Sequence, residues 1–442
     1  MDELWKMTAM ELKTRIRERN ISVRELTRYY LERIEKYDRN LNTISEINES
    51  ALEQAQRLDS AKSNRDSALF GLPILVKDNI DVAGLHTTAG SLALSDNRAT
   101  ANAAVVENAI QCGAVILGKT NMTEFANFTT QGMPNGYSSR AGNVRNAYDH
   151  KKDPGGSSTG SAVAVSAGLC SMAIGTDTSF SVVACATENG ITGLKPKHGA
   201  LSQAGILPIA GTLDSAGPLS HDLSDAILLY SGMAGKPFSP ISPIPVKDLK
   251  IAVNLYNREM VSDAQMERYE RLFDVLRRNG AGFSEITQPY SSYQRTIMTC
   301  EFKRDLEHYL SCASAGRKTL DRIIAFYQSS PEKMMRYGIT TLLEASRKSV
   351  DDPDYKEAIR ERAGMRRQIT DELRDFDACI MTGPTNIMHF VGLPSLALRL
   401  CMGEDGIPRG IILYGADEDR LLAAALTIEA YCGPVLPPKL RA

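Results

Sequence analysis

The stretch from Asp153 to Pro196, DPGGSSTGSAVAVSAGLCSMAIGTDTSFSVVACATENGITGLKP, gathers hydroxyl side chains into two loops that flank an apolar helix and a short strand. A loop opening Gly155-Gly156-Ser157-Ser158 presents consecutive backbone N–H groups, which can collect around an anion. It lacks the Gly-Lys-Ser/Thr ending of a phosphate-binding loop, so a nucleotide site is not indicated. Such a loop also serves simply as a tight turn. Far upstream, Lys77 closes the apolar run Pro73–Val76 in the segment GLPILVKDN. A lysine in that place is ordinarily a charge at a strand end. If the strand instead carries it into the interior, burial disfavours the ammonium form and makes the amine a base near neutral pH. A neutral amine beside serine hydroxyls is a Ser–Lys catalytic system.

Those side chains need a scaffold, and the composition supplies one. Of the 442 residues, 43 % are hydrophobic and 24 % charged, enough for a sizeable core. Lys plus Arg number 51 and Asp plus Glu 53, so the basic excess of a nucleic-acid binder is missing. Apolar runs such as Gly113 to Gly118 are too short to span a bilayer. The N-terminus MDELWKMTAM is acidic and polar, unlike a signal peptide. The eight cysteines include no CxxC pair and read as free thiols in a reducing compartment. The six histidines are scattered and form no HExxH. The expectation is a cytoplasmic protein with no metal, no cofactor, and no nucleic-acid or membrane partner.

Residues 1–65 read as a helical segment, with Thr8…Glu11 and Ser22…Glu25 fitting capping boxes. From Gly71 to about residue 230, short apolar runs alternate with helical patterns. Strand-like Pro73–Val76, Ala114–Leu117, Ser171–Ile174 and Gly205–Pro208 are interleaved with helices near Ala101–Cys112, Asn121–Phe128, Thr159–Ala167 and Asp222–Tyr230. This alternation argues for an α/β sheet. Gly235–Val246 holds four prolines and reads as a connector. A strand at Leu249–Val253 follows, and residues 250–376 read as a helical insertion or lid. Residues 377–442 supply strands at Ala378–Met381, Leu396–Leu400 and Gly410–Leu413 and a helix at Glu418–Ala430, which rejoin the core.

Four segments together resemble the amidase signature family of serine amide hydrolases: GLPILVKDNIDVAGLHTTAGS (71–91), AVVENAIQCGAVILGKTNMTEFA (104–126), SSRAGNVRNAYDHKKDPGGSSTGSAVAVSAG (138–168) and GTDTSFSVVACATENGITGLKPKHGALSQAGILPIAGTLDSAGPLSHD (175–222). Fainter similarity runs to the C-terminal helix. EFK…YL together with ATENGITGLKP resembles the peptide amidase branch more than the amidase-like subunits of the tRNA amidotransferases. The resemblance implies a single large α/β/α domain, with a mixed central sheet surrounded by helices and a catalytic core at 71–230. It implies a triad of Lys77, a cis-peptide Ser157 and nucleophilic Ser181, with the backbone N–H groups of Thr178, Ser179, Phe180 and Ser181 as the oxyanion hole. The implied reaction is hydrolysis of a linear carboxamide, small or peptide-like, through an acyl-enzyme; a homodimer is compatible with it.

The nucleophile loop departs from the family pattern. Phe180 stands where most relatives carry glycine, Ser179 replaces the usual Gly or Asp, Cys185 replaces a proline and Asn102 an aspartate. Glycine before the nucleophile tolerates positive φ, where phenylalanine is an outlier. One explanation is an active enzyme with a reshaped pocket; another is a degenerate relative that binds without turnover. The retention of Lys77, Ser157 and Ser181 favours activity. A third reading is an ammonia-supplying amidotransferase subunit. Met133, Tyr137, Ser158, Asp177 and Phe180 are candidate pocket residues, against ordinary packing or capping roles; Asp177 is also a candidate brace for the loop. Arg140 and Arg145 are candidates for a substrate carboxylate. Glu301, Phe302 and Tyr309 fit one helix face that could border the channel.

Overall fold

The computed structural model describes residues 3–60 and 65–441. Both expected capping boxes close. Thr8 and Ser22 accept the N–H of the glutamate three residues on, and Glu11 and Glu25 return a carboxylate to the cap N–H at 2.8 and 2.9 Å. Two donors that a helix start leaves open are thereby satisfied at each cap. The helices that follow, Ala9–Arg17 and Val23–Leu41, turn Leu12, Ile16, Leu26, Tyr30 and Ile34 inward at helical spacing.

In chain order the strands are β1 (Ile44–Ile47), β2 (Pro73–Lys77), β3 (Val115–Thr120), β4 (Tyr137–Ser138), β5 (Gly142–Asn143), β6 (Met172–Asp177), β7 (Thr192–Lys195), β8 (Ser215–Ser220), β9 (Lys250–Asn254), β10 (Gly282–Ile286), β11 (Ala378–Met381), β12 (Ser395–Met402) and β13 (Pro408–Tyr414). β4 and β5 form a small hairpin. The other eleven form one mixed sheet in the order β1-β3-β2-β6-β8-β7-β12-β13-β11-β9-β10. Along β9, β11, β12 and β13 the two faces alternate. Ile251, Ile380, Leu398 and Leu413 belong to one hydrophobic cluster, and Ala252, Cys379, Ala397 and Tyr414 to the other. A period of two places a core on each side of the sheet. Helices Asp263–Arg278 and Glu418–Ala430 close one side, and Thr159–Ser166 and Tyr293–Cys312 close the other. The layers are helix, sheet, helix.

Several local expectations are corrected. The segment Asn121–Phe128 is not a helix of ordinary geometry: Phe125, Ala126 and Asn127 all take left-handed φ, at 45°, 53° and 68°. Packing overrides the helical pattern, because Phe125 meets Phe302 edge to face and Glu124 is buried against Tyr327 and Ser139. Gly205–Pro208 makes only an isolated bridge, Ile80 to Ile206. The N-terminal segment is not wholly helical, since β1 pairs at the sheet edge with β3. Nor is 250–376: β9 and β10 add to the sheet. The five residues GFSEI of β10 lie on an exposed edge strand and carry too little apolar character to show a period of two.

β2 and β6 are parallel neighbours, with Val76 opposite Ile174, so Lys77 and the 175–182 segment emerge at the same end. The helix Thr159–Ser166, buried on every side, approaches that end backbone to backbone. A Cβ on Gly160 would lie 2.3 Å from the Asn121 carbonyl oxygen and 2.6 Å from that of Thr43. Gly160→Ala is therefore expected to lower stability by about 1–3 kcal/mol through overpacking. Gly364→Ala, at a helical site where a Cβ meets nothing within 4 Å, should raise it by about 0.5–1 kcal/mol. Thermal melts of the two variants check both signs.

Candidate active site

β2 carries Lys77 into the interior, where its side chain is fully buried. Its Nζ lies 2.8 Å from Ser157 Oγ, 2.9 Å from Ser158 Oγ, 2.8 Å from Thr176 Oγ1 and 3.2 Å from the Thr176 carbonyl oxygen. Burial pushes the Lys77 amine down to about 7, against the pull of Cys185, Asp177 and Asp214.

The hydrogens around this amine can be assigned by counting donors. Ser158 Oγ donates to the Thr176 carbonyl at 3.0 Å, so toward Lys77 it accepts. Thr176 Oγ1 donates to Asn79 Oδ1 at 3.4 Å, so it too accepts from Lys77. A neutral amine has two hydrogens and one lone pair. If those two hydrogens go to the Ser158 and Thr176 hydroxyls, the lone pair faces the Ser157 hydroxyl, while the Thr176 carbonyl at 3.2 Å is the third acceptor an ammonium would use. The shell thus accommodates both forms of the lysine, and in the uncharged form the amine can accept the Ser157 hydrogen.

Ser157 follows a cis Gly156–Ser157 peptide, and the side chains of Asn135 and Thr123 crowd its glycine. A Cβ on Gly156 would stand 2.2 Å from Asn135 Oδ1 and 2.9 Å from Thr123 Oγ1. The Ser158 N–H donates to the Ser181 carbonyl at 3.2 Å, which ties this loop to the one carrying Ser181. Ser181 is 6 % exposed. No hydrogen bond joins the Ser157 and Ser181 hydroxyls among the described residues. Reacting hydrogen bonds of this kind commonly tighten only with substrate bound.

The loop from Thr178 to Ser181 is held from outside. Thr178 Oγ1 donates to Asp214 at 2.5 Å, and Asp214 also accepts the N–H groups of Ile209 and Ala210. Burial pushes the Asp214 carboxyl up to about 7. Gln294, on helix Tyr293–Cys312, donates to the Thr178 carbonyl at 3.0 Å. Asp177 Oδ2 accepts the Val182 N–H at 2.7 Å and so spans the loop. Phe180 is held at φ 67°, and its ring sits 4.3 Å, centroid to centroid, from that of His389. Among the described residues, the backbone N–H groups of Thr178, Ser179, Phe180 and Ser181 make no hydrogen bond to protein. Four consecutive backbone donors, the last belonging to Ser181 itself, are thus left open.

The other candidates separate. Ser158, weighed as a loop or helix-cap hydroxyl, caps nothing with its side chain and lies in the shell of Lys77 instead. Ser161 is an ordinary buried hydroxyl on Thr120 and the Ile174 carbonyl. Met133 and Tyr137 are buried; the Tyr137 ring packs on Tyr337 at 4.8 Å and has no hydrogen bond to Lys77, Ser157 or Ser181. Arg140 faces Asp78 at 3.7 Å, and Arg145 reaches the Asn40 carbonyl at 3.5 Å. Glu301 binds Thr212 and Tyr355, and Tyr309 binds Asp81 at 2.7 Å, so that helix face anchors loops. A cavity of about 890 Å³ between Arg98, Gln203, Thr212 and His308 does not include Lys77, Ser157 or Ser181. Sequence reasoning missed Thr176, Asn79, Asp214, Gln294 and His389. Only Thr176, in the same GTDTSF run as Ser181, carried a signal. The described residues hold no group of three or more potential metal ligands and no helix long and apolar enough to cross a membrane.

Comparison with known proteins gives a consistent result. A family model described as Amidase matches residues 25–389. The native peptide amidase of Stenotrophomonas maltophilia superposes with a TM-score of 0.89 at 30% identity, covering 99% of each chain. A probable amidase of Arabidopsis thaliana is 29% identical over 468 residues, 98% of this chain and 91% of that one. A glutamyl-tRNA(Gln) amidotransferase subunit of Caldanaerobacter subterraneus is 28% identical over 482 residues, 97% of this chain and 96% of that one.

Proposed function

Given that the chain belongs to the amidase family and is an amide-hydrolysing enzyme, we propose that it cleaves the C–N bond of a linear carboxamide through an acyl-enzyme on Ser181. The observation that carries this reading is the buried Lys77 amine, 2.8 Å from Ser157, with its pKa lowered by burial to about 7 so that the base form is well populated at neutral pH.

A serine hydroxyl is a weak nucleophile until a base takes its proton. Lys77 accepts the Ser157 proton, Ser157 accepts that of Ser181, and Ser181 Oγ attacks the carbonyl carbon. The C=O π pair becomes the oxyanion, which the free N–H groups of residues 178–181 receive. Each such donor, placed in advance, is worth about 3–4 kcal/mol in the transition state. The relay then reverses: the lysine ammonium passes a proton through Ser157 to the substrate nitrogen, the C–N bond breaks, and ammonia or an amine departs neutral. Water, deprotonated by the same relay, releases the acid from Ser181. Every proton taken is returned by the end of the cycle. The likeness to a peptide amidase over nearly the whole chain supports a small or peptide-like amide as substrate.

The test is fluorophosphonate labelling with the adduct mapped by mass spectrometry and Ser181→Ala as control. A single adduct on Ser181, lost in the variant, is the expected result; a panel of peptide amides and free glutamine scored by ammonia release then identifies the acyl group. No adduct under conditions that label a reference serine hydrolase overturns the proposal. Ammonia release from glutamine alone, and only beside a partner protein, would point to an amidotransferase component.

A further inference from the structure

The nucleophile loop touches one residue from the last part of the chain. His389 lies in the short helix Ile387–Val391 and is completely buried. Its Nδ1 lies 3.1 Å from Asp177 Oδ1, off the line of a hydrogen bond. Its ring packs against Phe180 at 4.3 Å with an interplanar angle of 59°. Its Nε2 has no partner among the described residues. A buried imidazole with an orphaned nitrogen is a poor core filler, since the unmet polar atom disfavours burial. The two polar or aromatic contacts it does make both fall on one six-residue loop, at Asp177 and at Phe180.

We propose that His389 is a positioning residue that sets the geometry of the oxyanion donors from both directions, an inference that rests on the amidase reading above. One direction runs through charge. Asp177 Oδ1 faces the imidazole while Oδ2 holds the Val182 N–H at 2.7 Å, so fixing the carboxylate fixes the far end of the loop. Burial favours a neutral His389, whereas Asp177, with His389, Lys195 and the Val182 N–H around it, stays ionised. A neutral imidazole beside an ionised carboxylate carries its hydrogen on the nearer nitrogen, Nδ1. The other direction runs through the ring. A phenylalanine at φ 67° persists only where its surroundings over-determine it. The imidazole face gives the Phe180 ring one place to rest, and that orients the N–H groups on either side of it. Where a glycine would adopt the turn unaided, this chain uses a phenylalanine and a histidine to hold it.

The test separates ring from charge. His389→Ala removes both contacts, His389→Phe keeps a ring for Phe180, and His389→Gln keeps a donor for Asp177. The readout is Ser181 phosphonylation by a fluorophosphonate, resolved into its saturating rate and its half-saturating concentration, with a thermal melt of each variant. The expected result is a saturating rate at least about tenfold lower in His389→Ala, below the cost of deleting a donor outright. The half-saturating concentration stays unchanged, and the Phe and Gln variants fall between. With Phe180→Gly as background, His389→Ala should cost less than in the wild type, because one of the two paths is already gone. Saturating rates equal to wild type, or losses that simply add, overturn the proposal. Should His389→Ala fail to fold, the same comparison of the Phe and Gln variants with wild type decides it. A wild-type protein that never labels on Ser181 brings down the amidase reading itself, a distinct outcome.

Discussion

Lys77→Met is expected to abolish amide hydrolysis while leaving the melting temperature equal to or above that of the wild type. Catalytic loss follows because Lys77 is, among the described residues, the one amine within reach of Ser157, and an unassisted serine relay loses its base. The general-base contribution alone is about 10²–10⁴-fold, and without the relay the leaving nitrogen also departs unprotonated. Stability moves the other way. An amine whose folded pKa falls from 10.5 to about 7 is one that folding destabilises at neutral pH. Between those two values the unfolded chain binds the proton and the folded chain does not, so wild-type stability rises with pH across that window, and below about 7 the penalty is fully present. It amounts to a few kcal/mol by order of magnitude. Methionine occupies a similar volume without it, and Ser158 and Thr176 keep the Thr176 carbonyl and Asn79 as partners. Melts of both proteins at several pH values check this: the advantage of the variant should shrink as pH rises above 7. Wild-type ammonia release should rise with pH through about 7, because deprotonated Lys77 is the reactive form.

Ser157→Ala and Ser181→Ala should both reduce hydrolysis by about 10³-fold or more, and they should differ in labelling. Without Ser181 no oxygen remains for phosphorus to bond, and the adduct disappears. Without Ser157 the nucleophile persists but loses the proposed relay to Lys77, so the adduct forms slowly on Ser181. The expected order of labelling rates is wild type, then Ser157→Ala, then none. If Ser157→Ala labels at the wild-type rate, the proton path does not run through Ser157. Lys77 would then have to reach Ser181 by way of Ser158, whose hydroxyl lies 2.9 Å from Nζ.

How much of this is legible in the sequence depends on how far apart the interacting residues lie. The α/β alternation, both capping boxes and the C-terminal helix Glu418–Ala430 rest on periodicity and local donors, and the structure has them at those positions. Lys77 is legible as a candidate because an apolar strand leads into it, though its burial is a property of the assembled sheet. The loop residues around Ser181 are legible as a loop. The left-handed φ of Phe180 is not, since propensity argues against it and the ring that packs on it, His389, lies far along the chain. Asp214, Gln294 and His389 reach the loop from three distant parts of the chain, and nothing in TGPTNIMHFVG marks His389 as its neighbour. The failure at Asn121–Phe128 has the same cause: a buried Glu124 and a Phe125–Phe302 contact outweigh a local helical pattern.

The strand order also bears on biosynthesis. β7 pairs on one side with β8, soon after it in the chain, but on the other only with β12, where Lys195 meets Ser395. A ribosome adding about 5–20 residues per second needs about 10–40 s to cover the roughly 200 residues between them. Throughout that interval the middle of the future sheet presents an open row of amide donors and acceptors, a template for neighbouring nascent chains. Slower translation downstream of Lys195 lengthens this exposure, so yield of folded protein should depend on elongation speed across residues 196–395 and on chaperones that cover an unpaired strand. The chain is most vulnerable at its centre, after the catalytic loops have been made and before the strand that seals them has left the ribosome.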